Sequence, residues 1–114
     1  MRIEIKRDSG LWELVRPLYD EVWPPDVTAN WVGKDIVWAH AEYRVLLREE
    51  RPELLAHVGL YPRRIRVDGI ETRGCGIGGV IVHSSRRGRG YGSAAMRHAE
   101  DFMRAEGFAF ALLF

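Results

Sequence analysis

From residue 79 to residue 114 the chain sets four elements in an order that leaves little freedom of topology. A β-branched run over residues 79–83 leads into a polar loop, residues 84–89, that holds Arg86, Arg87 and Arg89. Helical spacing follows over residues 90–106, with Ala95, Ala99, Phe102 and Met103 on one face and Gly107 placed to end it. Residues 108–114 are continuously apolar, the pattern of a strand buried on both faces. Strand, helix and strand joined this closely form a right-handed crossover, so the two strands lie parallel in one sheet.

Upstream the signals are mostly β. Residues 2–6 alternate as a short strand, and Tyr43–Arg48 and residues 54–61 form two more, joined by a turn near Arg51, Pro52 and Glu53. Asp68-Gly69 between alternating flanks predicts a tight primed turn, with the next strand running over residues 73–83. Leu11, Leu14, Val15, Leu18 and Val22 fall on one helical face, capped by Asp8 or Ser9. Pro17 inside that pattern predicts a kink or two short helices. Pro24-Pro25 ends the element, and a short helix is expected over residues 36–41. The fold class is therefore α/β or α+β, with a mixed, mostly antiparallel sheet.

At 114 residues, 46% hydrophobic and 29% charged, the chain suits one globular domain with one core. Its longest stretch without Asp, Glu, Lys or Arg is 12 residues, against about 18 or more for a membrane span. The N-terminus has no apolar secretory segment, and the single Cys75 excludes an internal disulfide and a cysteine zinc cage. A cytoplasmic location is expected. A net charge of +1 argues against nucleic acid, whose binders are strongly basic. The charge is uneven, −3 over residues 1–57 and +4 over residues 58–114, so an anion belongs to the second half.

Two glycine clusters compete for a functional role. Gly74, Gly76 and Gly79 satisfy the letters of a dinucleotide fingerprint, but a β-run follows them where a helix is required. That segment is instead a strand with a bulge, or a place where another backbone or a ligand comes close. The second cluster, Arg87, Gly88, Arg89, Gly90, Tyr91 and Gly92, stands between a strand and a helix. Glycines there can turn successive N–H groups into one concavity at the positive end of a helix, which suits a pyrophosphate. A plain glycine-rich turn with a solvated basic rim accounts for the same letters equally well.

That second cluster resembles the Q/R-x-x-G-x-G/A motif of the GNAT superfamily of N-acetyltransferases, and the elements around it stand in that family's order. The likeness in detail spans residues 54–114. Ala56, His57, Val58 and Gly59, with Val67, Asp68, Gly69 and residues 76–82, are most similar to the aminoglycoside 2'-N-acetyltransferase branch. The resemblance implies a GNAT-like sheet with a parallel strand pair at its centre and flanking helices, and acetyl-CoA as co-substrate without a metal. Its pyrophosphate would lie on the amides of Arg87, Gly88, Arg89, Gly90, Tyr91 and Gly92. Its pantetheine would pair with Val80, Ile81 and Val82, and the Val80 N–H would polarise the thioester carbonyl. The acceptor implied is a primary amine of a small molecule, attacking directly.

Further site residues follow from the same likeness. The acidic, substrate-contacting position of the aminoglycoside branch is Gly78 here. Asp26 and Glu21 lie where the acceptor pocket is roofed, in a segment made aromatic by Trp23, Trp31, Trp38 and Tyr43. His83 and His57 are the histidine candidates for a base, against a structural or surface role for His83 and a core role for His57, which the pattern favours. The family's usual acid, its last strand or strands and its last helix fall beyond Phe114. An apolar strand at the very terminus fits a domain cut within its fold and a strand tucked into the sheet centre equally. In the first case the alternative is a module that binds CoA without turnover, and an open sheet edge could recruit a second copy as a homodimer.

Overall fold

A computed structural model describes residues 2–31, 39–49 and 53–114 of the chain. In chain order it has β1 (Arg2–Arg7), α1 (Trp12–Val22), α2 (Pro25–Thr28), β2 (Tyr43–Arg48), β3 (Leu54–Val67), β4 (Ile70–Val82), a 3₁₀ turn (Ser84–Arg86), α3 (Tyr91–Ala105) and β5 (Phe110–Leu113). The five strands form one sheet in sequence order. Neighbours pair antiparallel from β1 to β4, and β4 and β5 pair parallel through the α3 crossover. The mixed α+β class expected from sequence is the one observed.

The predicted turn is in place, with Asp68 at φ 52° and Gly69 at φ 78° between β3 and β4. Gly107 ends α3 in the left-handed region at φ 77°. Other expectations need correction. Helix α1 runs unbroken through Pro17, whose lost N–H costs one bond on an exposed face while Val15 and Leu18 stay buried beneath it. The break falls at Trp23 and Pro24. Neither Asp8 nor Ser9 caps α1: Leu11 stands at the cap without a side-chain bond, and Asp8 is drawn instead to Arg44. The 36–41 helix falls mainly outside the described residues, as do Trp38 and the turn residues Arg51 and Pro52.

Two apolar clusters cover the two faces of the sheet. Val45, Val58, Leu60, Cys75 and Ile77 pack with Ala95, Ala99 and Met103 of α3. Leu46, Leu54 and Ile81 pack with Val15 and Leu18 of α1. In β4, odd-numbered Cys75 and Ile77 face α3, whereas odd-numbered Ile81 faces α1. An inserted residue causes that change. Gly59 pairs with Gly78 and His57 with Ile81, so Val58 alone stands opposite Gly79 and Val80. This is a β-bulge with its first residue, Gly79, in the left-handed conformation at φ 58°.

Strand β5 is not buried on both faces. It is the outer strand, and Leu113 and Phe114 are 69% and 76% exposed. Aromatic rings from this edge fold back over the glycines of β4. A Cβ on Gly74 would lie 2.8 Å from the Phe110 ring, and one on Gly76 or Gly78 would press on Phe114. The close approach expected at the first glycine cluster is thus made by side chains of Phe110 in β5 and of Phe114 just after it.

Candidate functional site

Strand β4, the turn after it and the start of α3 carry the predicted cofactor residues as one continuous stretch. Beyond Val82 the chain turns through Ser84–Arg86 and reaches Gly88 at φ 79° and Gly90 at φ 81°. Nothing lies within 4 Å of where a Cβ would stand on either glycine. These two are glycine for conformation, and the space beside them is open. Gly92 differs, because a Cβ there would sit 3.1 Å from Val82 Cγ2, so it lets α3 approach β4 closely. Helix α3 therefore begins, without any side-chain cap, beside an uncovered stretch of backbone.

Charge around this stretch is mixed. Arg87 Nε donates to the Val82 carbonyl at 3.3 Å, and Arg89 is exposed. Arg86 Nε is buried with no hydrogen-bond partner among the described residues. The Tyr91 hydroxyl donates to Glu49 Oε1 at 2.5 Å. That bond, with the nearby Arg86 and Arg89, holds the Glu49 carboxyl below the usual range, and it raises the Tyr91 phenol. Nothing in the local sequence marks Glu49, which arrives from the end of β2.

His83 lies at the end of β4, beside the loop as expected. Its Nδ1 accepts from the Ser85 amide at 3.2 Å and lies 2.8 Å from Ser85 Oγ. Its Nε2 is 3.2 Å from Glu21 Oε1 of α1, while Glu21 Oε2 accepts from the Ser84 amide at 3.1 Å. The ring therefore caps the 3₁₀ turn and ties it to α1.

The bulge itself sits among aromatic and polar side chains. A Cβ on Gly79 would overlap the Tyr19 hydroxyl. Tyr19 packs on Trp12, Trp23 and His57 with ring centroids 5.1, 5.6 and 5.5 Å away. Tyr61 leans over Gly78, and burial, helped by neighbouring Tyr19, pushes its phenol up. Behind the bulge runs a buried polar chain. His57 Nδ1 lies 2.7 Å from the Gly79 carbonyl and its Nε2 3.0 Å from Arg44 Nη1. Arg44 in turn donates to both carboxylate oxygens of Asp8, at 3.1 and 3.4 Å. Arg44 is 1% exposed and His57 0%. Desolvation lowers the His57 pKa to about 4, so the ring is neutral at pH 7. Sequence reading placed His57 in the core; its bond to the bulge, and the parts of Tyr19, Arg44 and Asp8, carry no local signature.

The remaining expected residues are placed less centrally. A Cβ on Gly78 would lie 2.9 Å from Phe114 Cε2, so any side chain there, the acidic one expected from the aminoglycoside branch included, would have to displace that ring. Asp26 is exposed on the single-turn α2, where its carbonyl accepts from Asn30 Nδ2. Cys75 is buried, and burial pushes its thiol up. No group of three potential metal ligands occurs among the described residues, and no helix among them is long and apolar enough to cross a membrane.

Several solved structures share this architecture. A GNAT family acetyltransferase from Brucella melitensis, in complex with acetyl-CoA, superposes with a TM-score of 0.70 at 21% identity, covering 98% of this chain and 75% of that one. An aminoglycoside acetyltransferase from an uncultured soil metagenomic sample gives 0.69 at 14% identity, over 100% and 80% of the two chains. A ribosomal-protein-alanine N-acetyltransferase from Brucella melitensis biovar Abortus 2308 gives 0.66 at 17%, over 99% and 79%. No curated protein matches the chain in sequence. The sequence model of the acetyltransferase (GNAT) family matches residues 9–113, from the approach to α1 to the end of β5, and the chain belongs to that family.

Proposed function

We propose that this protein transfers the acetyl group of acetyl-CoA to a primary amine of a small molecule. The observation that carries this reading is the pair of left-handed glycines, Gly88 and Gly90, beside open space at the uncapped start of the 15-residue α3. Backbone amides there can take a pyrophosphate, with each charge-assisted bond contributing about 1.5–3 kcal/mol. Arg86, Arg87 and Arg89 add positive charge around the same anion. The residues that bind it are Arg87, Gly88, Arg89, Gly90, Tyr91 and Gly92.

Along β4 the pantetheine arm pairs with the backbone of Val80, Ile81 and Val82, which brings the thioester to the bulge. The Val80 N–H then donates to the thioester carbonyl. The neutral amine attacks the carbonyl carbon, and a C–N bond forms as the carbonyl π electrons move onto oxygen. Collapse of that oxyanion breaks the C–S bond, the CoA thiolate takes up a proton, and the nitrogen loses one. The Tyr19, Tyr61 and Trp23 side chains form an aromatic wall beside the reacting carbon, and Asp26 and the backbone at Gly78 lie on the acceptor side. His83 holds the loop rather than the proton, because its one lone pair is already spent on Ser85.

Calorimetric titration with acetyl-CoA, with adenosine 3',5'-bisphosphate for comparison, tests this reading. Binding near micromolar and tighter for acetyl-CoA is the expected result. A folded protein that binds neither would overturn it.

A further inference from the structure

We propose that His57 is a positioning residue whose Nδ1–H holds the Gly79 carbonyl, so that the Val80 N–H of the same peptide is aimed away from His57 and toward the bound thioester. The inference rests on the acetyl-CoA reading above, and it gives a role to a residue that the sequence reading left in the core.

The hydrogens on His57 follow from its partners. A carbonyl oxygen can only accept, so the nitrogen 2.7 Å from Gly79 O carries a proton. A guanidinium can only donate, so the nitrogen 3.0 Å from Arg44 Nη1 carries none. Both contacts select one neutral tautomer, protonated at Nδ1. Asp8 keeps Arg44 in place from the far side, with Arg44 Nε 3.1 Å from Asp8 Oδ1. The chain of groups thus crosses from the end of β1 through β2 and β3 to β4.

The consequence at β4 is geometric. The Gly79–Val80 peptide is planar and trans, so its C=O and N–H point in opposite directions. Fixing the carbonyl on His57 fixes the N–H on the other side. Glycine at φ 58° is conformationally permissive, and this bond restrains the orientation of its peptide. A hydrogen bond accepted at the carbonyl also polarises the peptide and makes its N–H a stronger donor. His57 would therefore affect the thioester without touching it, and leave the pyrophosphate loop alone.

Two replacements separate the donor from the ring. In His57→Asn, the amide nitrogen stands near the Nδ1 position and can donate to Gly79. In His57→Gln, the polar end reaches the Nε2 position and can satisfy Arg44 but not Gly79. Infrared difference spectra with [1-13C]acetyl-CoA read the polarisation of the thioester carbonyl directly. We expect a red shift in the wild type and His57→Asn, its loss in His57→Gln, and acetyl-CoA affinities within about twofold across the three. A red shift retained in His57→Gln overturns the proposal. An arm that needs no variant is the 15N spectrum of the wild-type imidazole: a pyrrole-like Nδ1 and pyridine-like Nε2 are expected, and the opposite tautomer overturns it. If the wild type binds no acetyl-CoA, the acetyltransferase reading fails instead, and the tautomer and the Val80 amide shift in His57→Gln still decide whether His57 holds the bulge.

Discussion

His83 and Glu21 meet at 3.2 Å, Nε2 to Oε1, and join the end of β4 to the end of α1. The same histidine caps the turn that leads into the glycine loop. His83→Ala should therefore cost about 1 kcal/mol of stability, the scale of one hydrogen-bonded cap and a partly exposed pair. Thermal melting should show a midpoint a few degrees lower, while acetyl-CoA affinity stays within about twofold. A collapse in turnover with binding intact would make His83 the proton carrier.

Gly90→Asp places a side chain and a negative charge where α3 begins. Gly90 sits at φ 81° in open space, so the fold tolerates the change at about 1–2 kcal/mol of backbone strain. Acetyl-CoA binding, measured by calorimetry, should fall by more than about 100-fold through blocking and repulsion.

Gly79→Ala meets two obstacles, the left-handed backbone and the Tyr19 hydroxyl. Together they should cost about 2–4 kcal/mol. In a Tyr19→Ala background only the backbone part remains. A double-mutant cycle read by urea denaturation should show a coupling of about 1–2 kcal/mol between the two sites.

His57 is held to a pKa of about 4 by burial, against an ordinary value of 6.5. Between these values the unfolded chain takes up a proton that the folded chain refuses, so stability falls as pH drops from 6.5 to 4. The slope approaches 1.4 kcal/mol per pH unit, about 3 kcal/mol over the window. Urea midpoints across that range should flatten in His57→Gln, relative to the wild type.

Glu49 lies near Arg86 and Arg89 and accepts from Tyr91. Glu49→Gln removes a charge that opposes an incoming anion. Acetyl-CoA affinity should rise about two- to threefold at low salt, with the gain shrinking as salt is added.

Local chemistry made a good part of this molecule legible. Asp68-Gly69 can hardly be other than a tight turn, and the spacing of Gly88, Gly90 and Gly92 around the start of α3 marked the candidate loop. Alternation located β1, β2 and the start of β3, whereas the flanks of the Asp68-Gly69 turn prove continuous with β3 and β4, which run over Leu54–Val67 and Ile70–Val82. Partners distant in sequence could not be read in that way. Asp8 belongs to Arg44, 36 residues away, rather than to the helix beside it. Gly79 is bonded by His57, and the bulge exists only in the register between β3 and β4. Apolarity alone placed residues 108–114 in a buried strand, but burial depends on what lies next to β5, which is a tertiary property. Pro17 shows the same priority, since packing of Val15 and Leu18 outweighs one missing backbone bond.

The extra residue at Gly79 has a genetic side. Upstream of it β4 serves the α3 core through Cys75 and Ile77, and downstream it serves the α1 core through Ile81. Losing one codon between Gly78 and Ile81 would restore a regular strand and at the same stroke turn Ile81 and Val82 to the wrong faces. Descendants of this gene can vary the letters at the bulge, but a deletion there must be repaid by rewriting two cores at once. Such a strand passes on its irregularity more faithfully than its sequence.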